Sequence, residues 1–437
     1  MKLCREHCLI VFALFVPLFP FAPPASAAII STNSRPLSLT YERVAKLPAD
    51  QLDAWKNYVA RSDRQLRADQ AFLRSEMRWH EIKNVVIPPT GRAASSLPHD
   101  HPAAWYAGLE ARHAADIVLS FQTPAGGWSK NLDLSLHPRA PGEAFAPDNS
   151  SRHLGKFDFD TPFNPDWNYV GTFDNDATIS ELRYLARVIG GAKVGEGARY
   201  RTAFLHGVDY ILAAQFPNGG WPQVWPLEGG YHDMITYNDD AMVHVLGLLR
   251  DIAEGTNEFA FVPASTRSRA ATSLNHGVDC ILATQITVNG QRTVWCQQHD
   301  PLTRQPAAGR NYEMPSQVSS ESAEIMSFLM QLPKPSPAVV TAVRAAAAWF
   351  GKTKIVDMAF KRLGDDGRRL IPSPGSGPLW SRYYEIGTDR PLFGDRDMTV
   401  HDNLEEISRE RRFGYAWYRD GPRHALEQYE LWSKAHP

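Results

Sequence analysis

Cysteine is scarce in this chain. Only four occur in 437 residues, and two of them, Cys4 and Cys8, lie in an N-terminal apolar segment. The other two, Cys280 and Cys296, have too few ligand-type neighbours for a metal site. They leave open one disulfide or two buried thiols. An excess of either charge is missing as well: 46 basic residues stand against 48 acidic ones, a net charge of −2. The chain has no basic run, no zinc spacing and no glycine-rich RNA motif, which argues against nucleic acid as a partner. A mildly acidic protein does not hold polyanions through its overall charge. Any grip on an acidic polymer must come from a local cluster or from bound cations.

Long apolar runs are also lacking, apart from LIVFALFVPLFPFAPP near the start. Prolines break that run, and it is too short for a comfortable membrane span. Lys2 and Arg5 precede it and ASAA follows, which is the pattern of an export signal over residues 1–27, cleaved after Ala27. Its removal takes away Lys2, Arg5 and Glu6, moving the net charge from −2 to −3. The expected location is secreted or periplasmic. The expected mature protein is a monomer with no membrane contact.

What the chain does have is aromatic side chains: 12 Trp, 15 Tyr and 20 Phe. Most read as core. Trp128 and Trp221, each after a glycine pair, are candidates for stacking on sugar rings.

A short unit recurs three times. ADIVLSFQTPAGGW (115–128), VDYILAAQFPNGGW (208–221) and VDCILATQITVNGQ (278–291) each place an Asp six residues before a Gln. Apolar residues fill the interval and a Gly-containing turn follows, as in buried helices ending in loops. A second helix follows each unit, over 176–189, 240–253 and 322–332. A fourth helix of the first type is expected within 342–355, and a closing segment at 414–435. Helix pairs repeated along a chain predict a mainly α fold, an α/α toroid of three or more pairs with long irregular loops. The expected division is a signal at 1–27, an N-terminal helical region at 28–100 and the catalytic toroid at 101–437.

Two acidic clusters, DND at 174–176 and NDD at 238–240, stand before second-type helices. Hard oxygen ligands of this kind suit calcium. Neither is an EF-hand loop, because the spacing and closing Glu are absent. Asp176 and Asp240 read equally well as helix caps. Three arginines complete the pattern: Arg310 in AAGRNYEMPS, Arg382 in WSRYYEI and Arg396 in FGDRDM. A planar guanidinium binds a carboxylate through two parallel bonds, as a uronic acid would require.

The ordered set QTPAGGWSKN, TFDNDAT, QFPNGGWPQ, TYNDDAM, VWCQQHD, GRNYEMPS, SRYYEI and RRFGYAWY resembles the pectate lyases of polysaccharide lyase family 10. The resemblance runs from about residue 100 to about residue 420. It implies calcium-dependent cleavage of polygalacturonate by anti β-elimination, giving 4,5-unsaturated products. It further implies Arg310 as the Brønsted base and Asp174 and Asp239 as calcium ligands. Asn175 would lie close to substrate, Arg382 and Arg396 would hold galacturonate carboxylates, and Lys130 would line the cleft. His299 and Asp300 would orient the base. Two rivals remain on the residues alone. One is a glycoside hydrolase using Asp174, Asp239 and Glu321; the other is a carbohydrate-binding protein using Trp128 and Trp221.

Overall fold

The computed structural model describes residues 28–91, 96–150, 155, 157–192 and 197–436. The export signal expected at 1–27 lies outside the described residues. An extended arm leads to a short helix, α1 (Tyr41–Val44), and a 31-residue helix, α2 (Ala49–Trp79). The repeats follow as α3 (Leu109–Ser120), α4 (Ile179–Gly191), α5 (Ala198–Ala214), α6 (Ala241–Glu254), α7 (Ala264–Thr284), α8 (Ser319–Met330) and α9 (Pro337–Thr353). Two further helices, α10 (Arg409–Gly414) and α11 (Gly421–Ala435), end the chain.

The repeat helices pack in two rows. α4, α6 and α8 lie side by side in one, and α3, α5, α7 and α9 in the other. Between successive repeats the rows touch, α4 against α5, α6 against α7 and α8 against α9. α4 is buried on almost every side, from Ile179 and Leu182 to Tyr184 and Val188, the pattern of an interior helix. α11 covers the last pair, packing on α8 and α9.

The recurring Gln has a structural job. Gln122 Nε2 donates to Gly126 O in its own loop (2.7 Å) and to Ala203 O in α5 (2.9 Å). Gln215 does the same with Gly219 O and Ser273 O of α7, and Gln285 with Thr293 O and Ala342 O of α9. Each glutamine thus ties the end of one helix to the body of the next helix in its row, while also bonding a carbonyl of its own loop.

The tryptophans repeat in the same way. Trp128, Trp221, Trp295 and Trp380 donate their indole N–H to Val118 O, Ile211 O, Ile281 O and Phe350 O. All four are buried. Trp128 and Trp221 are therefore core residues and no sugar platforms. Trp380 marks a fourth unit.

Short antiparallel strands lie among the loops. The largest sheet runs Ser31–Thr32, Thr399–His401, Pro391–Gly394, Tyr383–Tyr384 and Gln317–Val318 in that order. It joins the N-terminal arm to the segment that leads into α8. α2 is fixed to the repeats by Tyr58, which donates to Ala214 O (2.9 Å) and packs its ring 5.1 Å from Phe216. Cys280 and Cys296 are both free, buried thiols.

Candidate active site

Two turns of matching geometry precede α4 and α6. In Asp174–Asp176 the middle residue, Asn175, is left-handed (φ 52°, ψ 40°), and in Asn238–Asp240 it is Asp239 (φ 48°, ψ 36°). The next residues, Asp176 and Asp240, also have positive φ, 62° and 60°. Asn and Asp tolerate this region better than other side-chain-bearing residues, and such strain gathers at working sites. Neither Asp176 nor Asp240 makes a capping bond to its helix. The cap reading of these acids fails: Asp176 pairs instead with His244, and Asp240, though at the N-cap position, makes no side-chain bond to its helix. Position for position, Asp174 corresponds to Asn238 and Asn175 to Asp239. The two turns lie in contact.

Asp174 is buried, with Oδ2 held 2.6 Å from Lys130 Nζ. Its other oxygen, Oδ1, has no hydrogen-bond partner. Burial pushes this carboxyl up, but Lys130 and Arg310 outweigh it and hold it below the usual carboxylate range. Asp239 stands 4.0 Å from Arg382, and its Oδ2 accepts from Asn238 Nδ2 (3.0 Å). Burial and the Asp174 charge push it up to about 6, against Arg382 and Arg310. Asp240 faces Glu321 and Glu324; burial first and these charges second push it up to about 7. The region is short of positive charge.

The basic residues are arranged around it. Arg310 sits in a loop that Glu313 closes: Oε2 accepts from the Arg310 amide (2.8 Å) and Oε1 from its Nη1 (3.1 Å). Asp160 lies 3.9 Å from Arg310 Nε and accepts from the Tyr231 hydroxyl. Burial works against the charged guanidinium, but Glu313 and its neighbours raise its pKa well above the ordinary value. Asn33 of the N-terminal arm donates to Arg310 O (3.1 Å) and Asn311 O (3.0 Å), pinning the loop from outside. Arg382 is buried in an ion pair with Glu321.

Lys130 is likewise buried, 3.5 Å from the centre of the Tyr169 ring. Arg396 stacks 5.4 Å from the Tyr312 ring centre, and Glu410 binds it through two contacts, 2.9 and 3.3 Å. Asn175 is exposed and donates to Asn131 Oδ1 (3.2 Å).

Arg310, Lys130, Asp174, Asp239 and Arg382 are thus brought together, while Arg396 joins through the 310–312 loop, where Asn311 Nδ2 donates to its carbonyl (2.7 Å). His299 and Asp300 are engaged elsewhere. His299 accepts from the Cys296 amide (3.1 Å) and lies 2.9 Å from Arg304 O, and Asp300 pairs with Arg43. Sequence reading missed Asp160, Glu313, Tyr383 and Tyr415. Of these only Asp160 lies outside the quoted motifs.

Among the described residues no group of three or more His, Cys, Asp or Glu side chains is placed to hold a metal ion. The residues still fit a hard cation in part: one buried carboxylate oxygen is unpartnered, and a second carboxylate, Asp239, is pushed up to about 6 by burial and by the Asp174 charge. A cation partly ligated by substrate does not need a complete protein cage.

The family model for pectic acid lyase matches residues 122–426. A family 10 polysaccharide lyase from Cellvibrio cellulosa has a similar structure, with a TM-score of 0.64 and 31% identity over 78% of this chain and 97% of that one. An aspartate-to-alanine mutant of a family 10 polysaccharide lyase from the same organism, in complex with trigalacturonic acid, matches at a TM-score of 0.63 and 31% identity, covering 77% and 98%. No curated protein sequence matches. The glycoside hydrolase and carbohydrate-binding readings give way, and the chain belongs to the pectic acid lyases, as a polysaccharide lyase of family 10.

Proposed function

We propose that this protein is a secreted or periplasmic pectate lyase that cleaves polygalacturonate by calcium-assisted anti β-elimination, on an α/α toroid bearing an N-terminal helical region. The observation that carries the reading is the buried Asp174, with one unpartnered oxygen, facing Arg310 and Lys130.

Asp174 and Asp239 would hold the calcium ion, with Asn175 beside the sugar. Bound there, calcium supplies positive charge to the substrate carboxylate and so acidifies the proton at C5. Arg382 and Arg396 orient galacturonate carboxylates through guanidinium donors other than those paired with Glu321 and Glu410. Arg310 takes the C5 proton, the C5–H electron pair becomes the C4–C5 double bond, and the C4–O bond breaks. Water protonates the leaving oxygen. Glu313 keeps Arg310 charged in the present arrangement, so the base role requires that positive charge around bound substrate outweigh that hold.

The test is incubation of the mature protein with polygalacturonate, with calcium and with chelator, while following ultraviolet absorbance. Calcium-dependent formation of unsaturated product supports the reading. Saturated products, or full cleavage in chelator, would overturn it.

A further inference from the structure

We infer that the cavity along α4, α6 and α8 is a second binding site, one that takes a uronic acid without metal. The cavity has a volume of about 460 Å³, within the ~300–1,000 Å³ usual for small-molecule sites. It runs along the helices from Asp176, two residues beyond Asp174, to Arg187 and Gln331. Arg310, Arg382 and Arg396 do not line it.

Two kinds of polar group lie at opposite ends. Arg183, Arg187 and Arg250 gather toward one end, from two neighbouring helices. Asp251 lies 2.8 Å from Arg183 Nη2 and 3.6 Å from Arg250 Nε, and Glu258 lies 3.9 Å from Arg187 Nε. Three guanidiniums against two carboxylates leave a positive charge in excess. Arg187 Nη1 also donates to His99 O and to the Tyr106 hydroxyl (3.3 Å), and Arg250 Nη1 to Gln331 Oε1 (3.0 Å); with five N–H donors on each guanidinium, others remain for a ligand carboxylate.

Asp176 and Glu324 mark the other end, with His244 Nδ1 2.5 Å from Asp176. Carboxylates accept hydroxyl protons. Between the ends, Val243 and Phe328 give an apolar wall, and Arg250 stacks 5.9 Å from the Phe328 ring centre. Gly247 contributes no side chain, and a Cβ there would stand 3.9 Å from Arg183 Nη2, narrowing the cavity. A carboxylate at one end, hydroxyls at the other and an apolar face between them describe a sugar acid. The choice of a uronate among hydroxy acids rests on the function proposed above, whose reaction releases shortened uronates.

The test is calorimetric titration of D-galacturonate into the full protein in chelator, where a calcium-dependent cleft is silent. Wild type is expected to bind galacturonate and to ignore glucose. Arg250→Ala should weaken binding about tenfold, the worth of one charge-assisted contact, with polygalacturonate cleavage in calcium unchanged. Arg183→Gln gives a second variant should Arg250→Ala unfold. Arg382→Ala should bind galacturonate in chelator as wild type does. No binding in chelator, or equal affinity in wild type and both cavity variants, overturns the inference. A protein that fails to cleave polygalacturonate but still binds galacturonate through Arg250 would sustain this site and remove the proposed substrate.

Discussion

Glu313 holds Arg310 at two points, its backbone amide at 2.8 Å and its guanidinium at 3.1 Å. The approach needs Gly309 to lack a side chain, since a Cβ there would lie 2.5 Å from Glu313 Oε2. The far side of Glu313 is also tied. Tyr415 donates to Oε1 (3.0 Å), its hydroxyl lies 2.5 Å from that of Tyr383, and Tyr383 donates to Gln297 Oε1 (3.0 Å). Gln297 in turn donates to Asn238 Oδ1 (2.5 Å) in the second acidic turn. The loop of the proposed base and the turn of a proposed calcium ligand are therefore joined by a continuous chain of contacts.

The first prediction concerns that hold. Arg310→Ala should abolish turnover and leave pectate affinity largely intact. Glu313→Gln removes a negative charge that keeps Arg310 protonated. The alkaline rise of kcat/KM should then move to lower pH, by about one to two units. A pH–rate profile identical to wild type, at any level of activity, would mean Arg310 is not the group being titrated.

Arg382→Ala should act on both stability and binding. The arginine is paired with Glu321, which is only 2% exposed, so truncation strands a buried carboxylate at a cost of about 3–5 kcal/mol. Adding Glu321→Gln removes the stranded charge and should recover most of the lost melting temperature. The Michaelis constant for polygalacturonate should stay raised in the double variant. Its return to wild type would assign Arg382 to structure alone.

Much of this was open to sequence reading where the signal is local. Gln122, Gln215 and Gln285 each bond within their own helix-end loop, so the same residue recurs at the same place. Trp380 was not recognised as a fourth repeat, because 30 residues separate it from its partner Phe350. The acidic clusters stood out, but not their left-handed turns, which are invisible in residue type. Asp160 reaches Arg310 from the long loop at 133–168, and nothing in that loop's composition signals the pairing. Arg396 looked like a free fork; Glu410, fourteen residues on, takes its Nε and Nη2 edge.

A pH dependence of stability follows from Glu181, buried in the first turn of α4, where backbone groups of Glu181 and Thr178 only partly offset the cost of burial. Burial pushes its carboxyl from 4.5 up to about 8. The folded state therefore keeps a proton that the unfolded state has already lost. The associated stability is complete below the unfolded value and is lost as pH rises through about 8. Denaturant unfolding should show stability falling across that window, and Glu181→Gln should flatten the fall. An equally steep decline in the variant would assign it to other groups.

Lys130 supplies the remaining prediction. Its ammonium neutralises Asp174 in a buried pair, 2.6 Å apart, with the lysine 6% exposed. Lys130→Met keeps the length of the side chain and removes the charge, leaving Asp174 buried against its acidic neighbour Asp239. In chelator the variant should lose about 3–5 kcal/mol of stability, the usual cost of stranding one partner of a buried pair. A cation held by Asp174 and Asp239 would replace the missing charge, so calcium should restore stability far more in Lys130→Met than in wild type. The melting temperature should rise with calcium concentration, and the rise should vanish when Asp174→Asn is added. If calcium stabilises wild type and Lys130→Met by the same amount, the ion does not bind at Asp174.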